Sequence, residues 1–248
     1  MATRTPETAR YTRVAIWLHW LIAFFIFYNL ASGLLRSELP RGFFVFHISS
    51  GITILALTLV RVVWRLTHRP PPFLPIKVWD ARLAHSVHFL LYLAMLLMPL
   101  SGWAMISANP PAGSPGAAYA DAERAARQAA EPQRLPAGGE VRTAPAPAGE
   151  GKGGGAAPRP RGPTMLWGLV KLPLITPINE LGRTPEGLPE QREVHERTET
   201  FHAIGGWIML LLLVLHIAGA LKHQFADRQP ELQRMGLDHP GRRRVAAE

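Results

Sequence analysis

Two histidines lie inside one long apolar run near the C-terminal end of the chain. His202 and His216 fall in a stretch of 22 uncharged residues between Glu199 and Lys222, long enough to cross a hydrocarbon core of about 30 Å. Their spacing equals four turns of a slightly underwound helix, so both project from nearly the same face, roughly 21 Å apart along the axis. Intramembrane polar side chains need partners, and neutral imidazole is a common metal ligand. The pair therefore suggests two metal centres, one above the other.

Three further apolar runs precede this one. The first is free of charge from Val14 to Leu35, the second from Gly42 to Val60, and the third runs from about Ala84 to Ile106. The small residues 31–33 would also suit a signal-peptide cleavage site, but the first run is too long for a typical signal peptide. We expect a retained transmembrane helix there and four spans in all.

Composition supports a membrane protein and excludes several kinds of site. Of the 248 residues 48% are hydrophobic, and they are clustered rather than dispersed. The net charge of +9 comes from basic residues beside the apolar runs, where anionic lipid and topology explain them better than nucleic acid does. The chain has no cysteine. Disulfides, cysteine-ligated iron–sulfur clusters and thioether-attached haem are therefore excluded.

The predicted fold is an all-α, integral membrane four-helix bundle with a long disordered outer loop between its third and fourth helices. Residues 1–106 hold the first three spans. Residues 107–163, rich in Ala, Gly, Pro and Arg, cannot bury enough surface to fold alone. Residues 164–199 include an apolar part that is too short and proline-broken to span, and we expect an interfacial segment over the end of the bundle. The fourth helix occupies 200–226, and 227–248 form a basic cytoplasmic tail.

The charges also predict an orientation. The N-terminal segment, the 65–82 loop and the C-terminal tail are all basic, and four spans place them on one side. The positive-inside rule makes that side cytoplasmic. We therefore expect a multi-pass protein of the bacterial inner membrane with both termini in the cytoplasm.

With this topology four histidines sort into two levels. His19 and His216 each lie about two turns from the cytoplasmic ends of the first and fourth helices. His47 and His202 lie near the outer starts of the second and fourth. A square-planar macrocycle needs two ligands on facing helices, and haem iron accepts histidine axially. Each histidine taken alone would more often be a hydrogen-bonded core residue, but the match in two levels favours ligation.

Other residues near these levels allow two interpretations each. His85 and His88 start the third helix and are expected at the membrane interface, with metal or quinone binding as the alternative. The glycines one turn past His47 and His202 (Gly51, Gly205 and Gly206) leave room for a flat ring or serve helix packing. Three arginines could pair with haem propionates or anchor the helices at the membrane surface: Arg13, Arg61 and Arg65.

Several short motifs resemble the bacterial cytochrome b561 family, which is related to the cytochrome b subunits of nickel-iron hydrogenases. They are IWLHWL (16–21), FHISSG (46–51), AHSVH (84–88), the stretch 201–216, and ALKHQF (220–225) followed by Asp227 and Arg228. The resemblance covers all four spans and implies two b-type haems. It assigns His19 and His216 to the inner haem and His47 and His202 to the outer one. The 107–163 insert has no counterpart that we recognise.

Three functions are compatible with these patterns. The first is a self-contained oxidoreductase that passes electrons, from superoxide or another donor, to a membrane quinone. The second is a membrane anchor and electron conduit for a separate dehydrogenase or hydrogenase subunit. The third is a non-redox helical transporter. Expected partners are membrane lipid, quinone and, for the second function, a redox protein. The sequence leaves open whether the protein is itself an enzyme, and no nucleic acid is expected to bind.

Overall fold

A computed structural model describes residues 10–72, 77–130 and 163–237 of the chain. Most of the described residues are helical, and the one sheet among them is a two-stranded hairpin. In chain order the elements are α1 (Arg13–Leu34), α2 (Arg41–Thr67), α3 (Val78–Ser107), α4 (Pro115–Ala130), β1 (Met165–Leu166), β2 (Val170–Lys171), α5 (Thr176–Leu181), α6 (Leu188–Leu221) and α7 (Glu231–Arg234). A single 3₁₀ turn, Pro185–Gly187, precedes α6, and a π-helical turn, Lys222–Ala226, follows it. The strands pair antiparallel, with Met165 opposite Lys171.

Helices α1, α2, α3 and α6 form the membrane bundle that the apolar runs predict. In the described part of the chain these four are long and apolar enough to span a bilayer. Their polarity is inverted relative to that of a water-soluble bundle. Ser50 and Thr58 are fully buried between helices, while Phe24 and Trp207 are 63% exposed on the outer surface. Apolar side chains outside and hydroxyls inside suit a surface that faces lipid.

The core lies between the middle parts of the four helices. It consists of aliphatic and methionine side chains, among them Ile22, Ile54, Leu91, Met95 and Leu212. Neighbouring helices pack as α1 on α2, α2 on α3 and α3 on α6, whereas the backbones of α1 and α6 scarcely approach each other. The seam between α1 and α6 is thus the most open of the bundle.

The two ends of the bundle are built differently. We call the end that carries residues 10–13, the α2–α3 loop and α7 the terminal side, and the end that carries α4, α5 and the β-hairpin the insert side. On the terminal side the indole of Trp20 donates to the carbonyl of Met235 (3.0 Å), which brings the C-terminal segment under α1. On the insert side the indole of Trp103 donates to the carbonyl of Pro173 (2.7 Å). Segments outside the spans therefore cover both ends of the bundle.

The fourth long helix begins earlier than its apolar run predicts. Helix α6 starts at Leu188, twelve residues before the predicted boundary at 200. Its charged first half carries an i,i+4 ion pair between Glu193 and Arg197, and such residues are good helix formers. The run of apolar residues marks the membrane-spanning part of a helix, and the helix itself continues into water.

The prediction that residues 107–163 are disordered throughout is wrong for Pro115–Ala130, which form α4. Alanine, arginine and glutamate have high helix propensity, and the hydroxyl of Ser114 accepts the N–H of Ala117 (3.1 Å) at the start of the helix. An ion pair from Arg192 on α6 to Glu123 fixes α4 over the insert side. Residues 131–162 of the predicted disordered loop lie outside the described residues.

The apolar segment after the insert, which the sequence predicts to be interfacial, forms the β-hairpin and α5. The hairpin lies against the flank of α2, where the main chain of Trp167 meets Ser49. After the hairpin, α5 leads to the start of α6. There the side-chain amide of Gln191 donates to the carbonyls of Ile178 and Asn179 and holds α5 against α6.

Candidate functional site: two histidine pairs in the bundle

On the terminal side, His19 of α1 and His216 of α6 face each other across the open seam. Their ring centroids are 6.1 Å apart, and the ring planes are inclined by 67°. Both side chains are half-buried. A third ring, His88 of α3, lies 5.0 Å from that of His216 at 87°. The structure thus brings the predicted pair together and adds a neighbour that the sequence analysis placed at the membrane surface.

On the insert side, His47 of α2 and His202 of α6 form a second pair. Their ring centroids are 6.2 Å apart, again inclined by 67°. The two pairs therefore share nearly the same geometry. Because His202 and His216 are both on α6, their main-chain positions are roughly 21 Å apart along that helix. The predicted two levels are both present.

A buried serine orients each histidine of the insert-side pair. The hydroxyl of Ser32 lies 2.9 Å from Nδ1 of His47, and the hydroxyl of Ser101 lies 2.9 Å from Nδ1 of His202. Ser32 donates its own proton to the carbonyl of Tyr28 (2.7 Å), and Ser101 donates to that of Met98 (2.8 Å).

Each serine oxygen therefore accepts from its histidine. This bonding assigns the ring proton to Nδ1 and leaves the lone pair of Nε2 for a metal.

A glycine follows each of these serines and makes space for the ring. A β-carbon at Gly102 would lie 3.2 Å from Cε1 of His202, and one at Gly33 would lie 3.4 Å from Cε1 of His47. In α1 and again in α3 a Ser-Gly dipeptide therefore holds a histidine of another helix, His47 of α2 and His202 of α6. The sequence analysis missed this repeat, although both copies are visible in the sequence and the first lies in the segment considered there for signal-peptide cleavage.

The glycines that the sequence analysis singled out have other surroundings. A β-carbon at Gly205 would lie 2.3 Å from Sδ of Met98, so this glycine serves the close packing of α6 on α3. Gly51 faces the side chain of Asn29, and Gly206 has open space around it. Of the two interpretations given for these residues, helix packing holds for Gly205.

Of the three arginines considered, Arg61 alone reaches into the bundle. Its guanidinium donates to the hydroxyl of Tyr92 (2.9 Å) and to the carbonyl of Ala15 (3.1 Å). Arg13 and Arg65 are exposed at the terminal side, as expected for residues that anchor a helix at the membrane surface. Arg61 is thus fixed between α1, α2 and α3 on the terminal side.

The donor set of each pair fits one kind of metal centre. Among the described residues no group of three or more His, Asp or Glu side chains converges in metal-binding geometry. Two imidazole nitrogens suffice only where the metal receives its other ligands elsewhere, as iron does from a porphyrin. Two metal–nitrogen bonds of about 2.0–2.1 Å, plus about 1.1 Å from each nitrogen to its ring centre, place the two centroids about 6.3 Å apart. The observed distances of 6.1 and 6.2 Å match this value.

Comparison with known proteins gives the same result. The family model described as prokaryotic cytochrome b561 matches residues 10–236. The chain belongs to the prokaryotic cytochrome b561 family. Proteins of this family are membrane cytochromes that bind haem b and transfer electrons. This membership confirms the resemblance and the predicted fold class, and it sets aside the non-redox transporter.

Individual relatives are more distant. The chain is 30% identical over 102 residues to a probable superoxide oxidase, CybB, of Yersinia pestis, an alignment that covers 39% of this chain and 58% of that protein. It is 27% identical over 105 residues to cytochrome b561 homolog 1 of Escherichia coli (strain K12), covering 40% and 60% of the two chains. Homolog 2 of the same organism is 32% identical over 114 residues, covering 43% and 60%. The chain thus spans about three fifths of the length of these relatives.

Proposed function

We propose that this b561-family protein is a di-haem cytochrome that carries electrons along the bundle, between its insert side and its terminal side. His47 and His202 are the proposed axial ligands of the insert-side haem, and His19 and His216 those of the terminal-side haem. The observation that carries this proposal is the double occurrence of one ring-pair geometry, with centroids 6.1 and 6.2 Å apart.

The residues of the chain define what each centre can do. Two histidines at each level would hold a haem iron from both sides, and a centre held in this way would favour electron transfer over oxygen binding. Haem iron, when bound, supplies the one-electron chemistry. Ser32 and Ser101 fix the ring protons of His47 and His202 on Nδ1, and Gly33 supports the orientation of the ring of His47. On the terminal side Arg61 supplies positive charge near His19 and His216.

The proposed orientation places the terminal side in the cytoplasm. Its described residues include many basic side chains: Arg10, Arg13, Arg61, Arg65, Arg69, Lys77, Arg82, Lys222, Arg228 and Arg234. Positive charge next to spans is retained on the cytoplasmic side. A reporter fused after residue 248 should be active only as a cytoplasmic reporter in cells, and activity of a periplasmic reporter there would reverse the orientation.

Quinone is the proposed electron acceptor, and superoxide a proposed donor. The support for superoxide is the name of the relative from Yersinia pestis, a probable superoxide oxidase. The alternative from the sequence analysis remains an electron conduit for a separate catalytic subunit. In that case the insert side, covered by α4 and α5, would receive the partner.

One experiment separates the two proposals. Purified full-length protein is given a superoxide-generating system and a soluble ubiquinone analogue, and haem reduction and quinol formation are followed by absorbance. Self-contained activity predicts quinol formation that superoxide dismutase abolishes and that His47→Ala lacks. A conduit predicts protein with intact haem that yields no quinol under these conditions. Purified protein without haem would contradict both proposals.

A further inference from the structure

The β-hairpin contains an unusual turn for its residues. Residues 167–169 connect β1 to β2, and the first two, Trp167 and Gly168, have positive φ, 51° and 72°. Two consecutive residues of positive φ are typical of a type I′ hairpin turn, which Asn-Gly usually occupies. A bulky residue at the first position is strained. Contacts outside the hairpin must therefore stabilise Trp167 there.

Those contacts are to a membrane-spanning helix. The main-chain N–H of Trp167 donates to the hydroxyl of Ser49 (2.9 Å), and its indole N–H donates to the hydroxyl of Thr53 (3.1 Å). Each hydroxyl gives its own proton to a carbonyl inside α2. The indole also lies 6.0 Å from the ring of Phe25 and 5.9 Å from that of Phe46, so it covers the seam between α1 and α2.

The positions of these partners give the depth of the turn. The apolar span Gly42–Thr67 of α2 has 26 residues, hence a length of about 39 Å, which exceeds a hydrocarbon core of about 30 Å by about 4–5 Å at each end. Ser49 then lies about 6 Å, and Thr53 about 12 Å, below the insert-side boundary. Counting back from Leu34 in α1 puts Phe25 at about 12 Å as well. The turn therefore meets the bundle inside the span.

The residues after the turn are apolar and uncovered. Leu169 is 81% exposed and Val170 is 62% exposed. The N–H of Leu169 donates to the carbonyl of Leu166 (2.9 Å), so the chain folds back at the turn and Leu169 stays close to the depth of Trp167. Beside the hairpin, Val45 and Phe46 of α2 are 47% and 51% exposed, and the hairpin tip continues their outward-facing surface.

We propose that the 165–171 hairpin is a membrane-inserted anchor whose tip, Leu169 and Val170, lies among the lipid acyl chains of the insert-side leaflet. Non-helical main chain can lie at this depth where its polar groups have protein partners, and Ser49 provides one for Trp167. The ammonium group of Lys171 can reach the interface along its own alkyl chain. The anchor fixes the segment that leads through α5 into α6, and with it the insert-side cover of the bundle.

The absence of cysteine from the chain permits a direct test. Leu169→Cys is labelled with a nitroxide in full-length, haem-loaded protein in lipid nanodiscs, and its collision rates with oxygen and with a water-soluble nickel chelate are compared by electron paramagnetic resonance. Leu59→Cys, 53% exposed on α2, is the lipid-facing control. Arg127→Cys on α4 is the water-facing control. Val170→Cys provides a second reading of the tip, and an unchanged haem spectrum shows that each variant is folded.

The logarithm of the oxygen-to-nickel ratio should be positive at 169 and 170, as at 59, and negative at 127. A negative value at 169 and 170 would overturn the proposal, because the tip would then lie in water. Low collision rates with both reagents would overturn it as well, because the tip would then be covered by protein, such as a second copy of the chain.

Discussion

Removing the hydroxyl of Ser101 should change the insert-side haem and leave the terminal-side haem alone. In Ser101→Ala the Nδ1 proton of His202 loses its acceptor at 2.9 Å. The imidazole then becomes a weaker electron donor, which destabilises ferric iron more than ferrous iron. Loss of such an outer partner typically costs about 10- to 100-fold in metal affinity. If one factor of ten falls on the ferric form alone, the midpoint potential rises by about 59 mV, the one-electron equivalent of a tenfold change.

The assay is a spectroscopic redox titration of the purified protein, in which two haems give two one-electron steps. Ser107→Ala is the matched control, because that buried serine also lies in α3 but bonds to Trp103 and Ile175 instead of a histidine. Ser101→Thr keeps a hydroxyl and should restore most of the original potential.

Equal shifts of both haem steps in Ser101→Ala, or the same shift in Ser107→Ala, would refute the reasoning. Either result would mean that the potential responds to general loosening of the bundle rather than to one hydrogen bond of His202.

Further variants test the space beside His202 and the docking of α4. Gly102→Val places a branched side chain where even a β-carbon would lie 3.2 Å from the ring of His202, so haem content should fall by one per protein, whereas Gly206→Ala, in open space, should keep the wild-type content in a pyridine haemochromogen assay. Arg192→Ala should release α4, seen as faster proteolysis between α3 and α6; equal cleavage rates in variant and wild type would disprove this docking. Hydrogen bonds from arginine hold the pKa of Glu123 below its ordinary 4.5, so α4 should stay docked at neutral pH and loosen only as the pH falls below that value.

The membrane bundle and the pairing of histidines follow from information that the sequence carries locally. Length of an apolar run sets the number of spans, and the 14-residue spacing of His202 and His216 on one helix sets the separation of the two levels. Counting turns from the helix ends was enough to match His19 with His216. Both are properties of single helices. Because every span must cross the bilayer, the order of the spans in the chain determines which helix ends lie on the same side.

What the sequence analysis missed depends on contacts between helices. Ser101 lies 101 residues from His202 in the chain, and only the packing of α3 on α6 shows that the two meet. The contact between His88 and His216 likewise depends on the packing of α3 on α6. Counting turns from the start of α3 would have put His88 at nearly the right depth, but not its direction around the helix.

The extent of α4 and α6 was missed for a different reason. Low complexity was taken as a sign of disorder, and the charged residues before 200 were left out of the fourth helix, yet alanine, glutamate and arginine are strong helix formers. The docking of Glu123 by Arg192 joins segments whose relation the sequence alone does not reveal. Composition therefore identified the membrane part well and the water-exposed helices poorly.

The haem-to-protein ratio of the purified full-length protein tests the central claim most directly. Wild type should bind two haems, and His202→Ala and His216→Ala should each bind one. Because the ring of His88 lies 5.0 Å from that of His216 and could replace it as a ligand, His19→Ala provides a second reading of the terminal-side pair and should also bind one haem. His195→Ala is the control, since this histidine lies on the same helix and bonds to the carbonyl of Met105 instead of another ring; it should keep both haems. Unchanged content in the ligand variants, or a single haem in the wild type, would contradict the account.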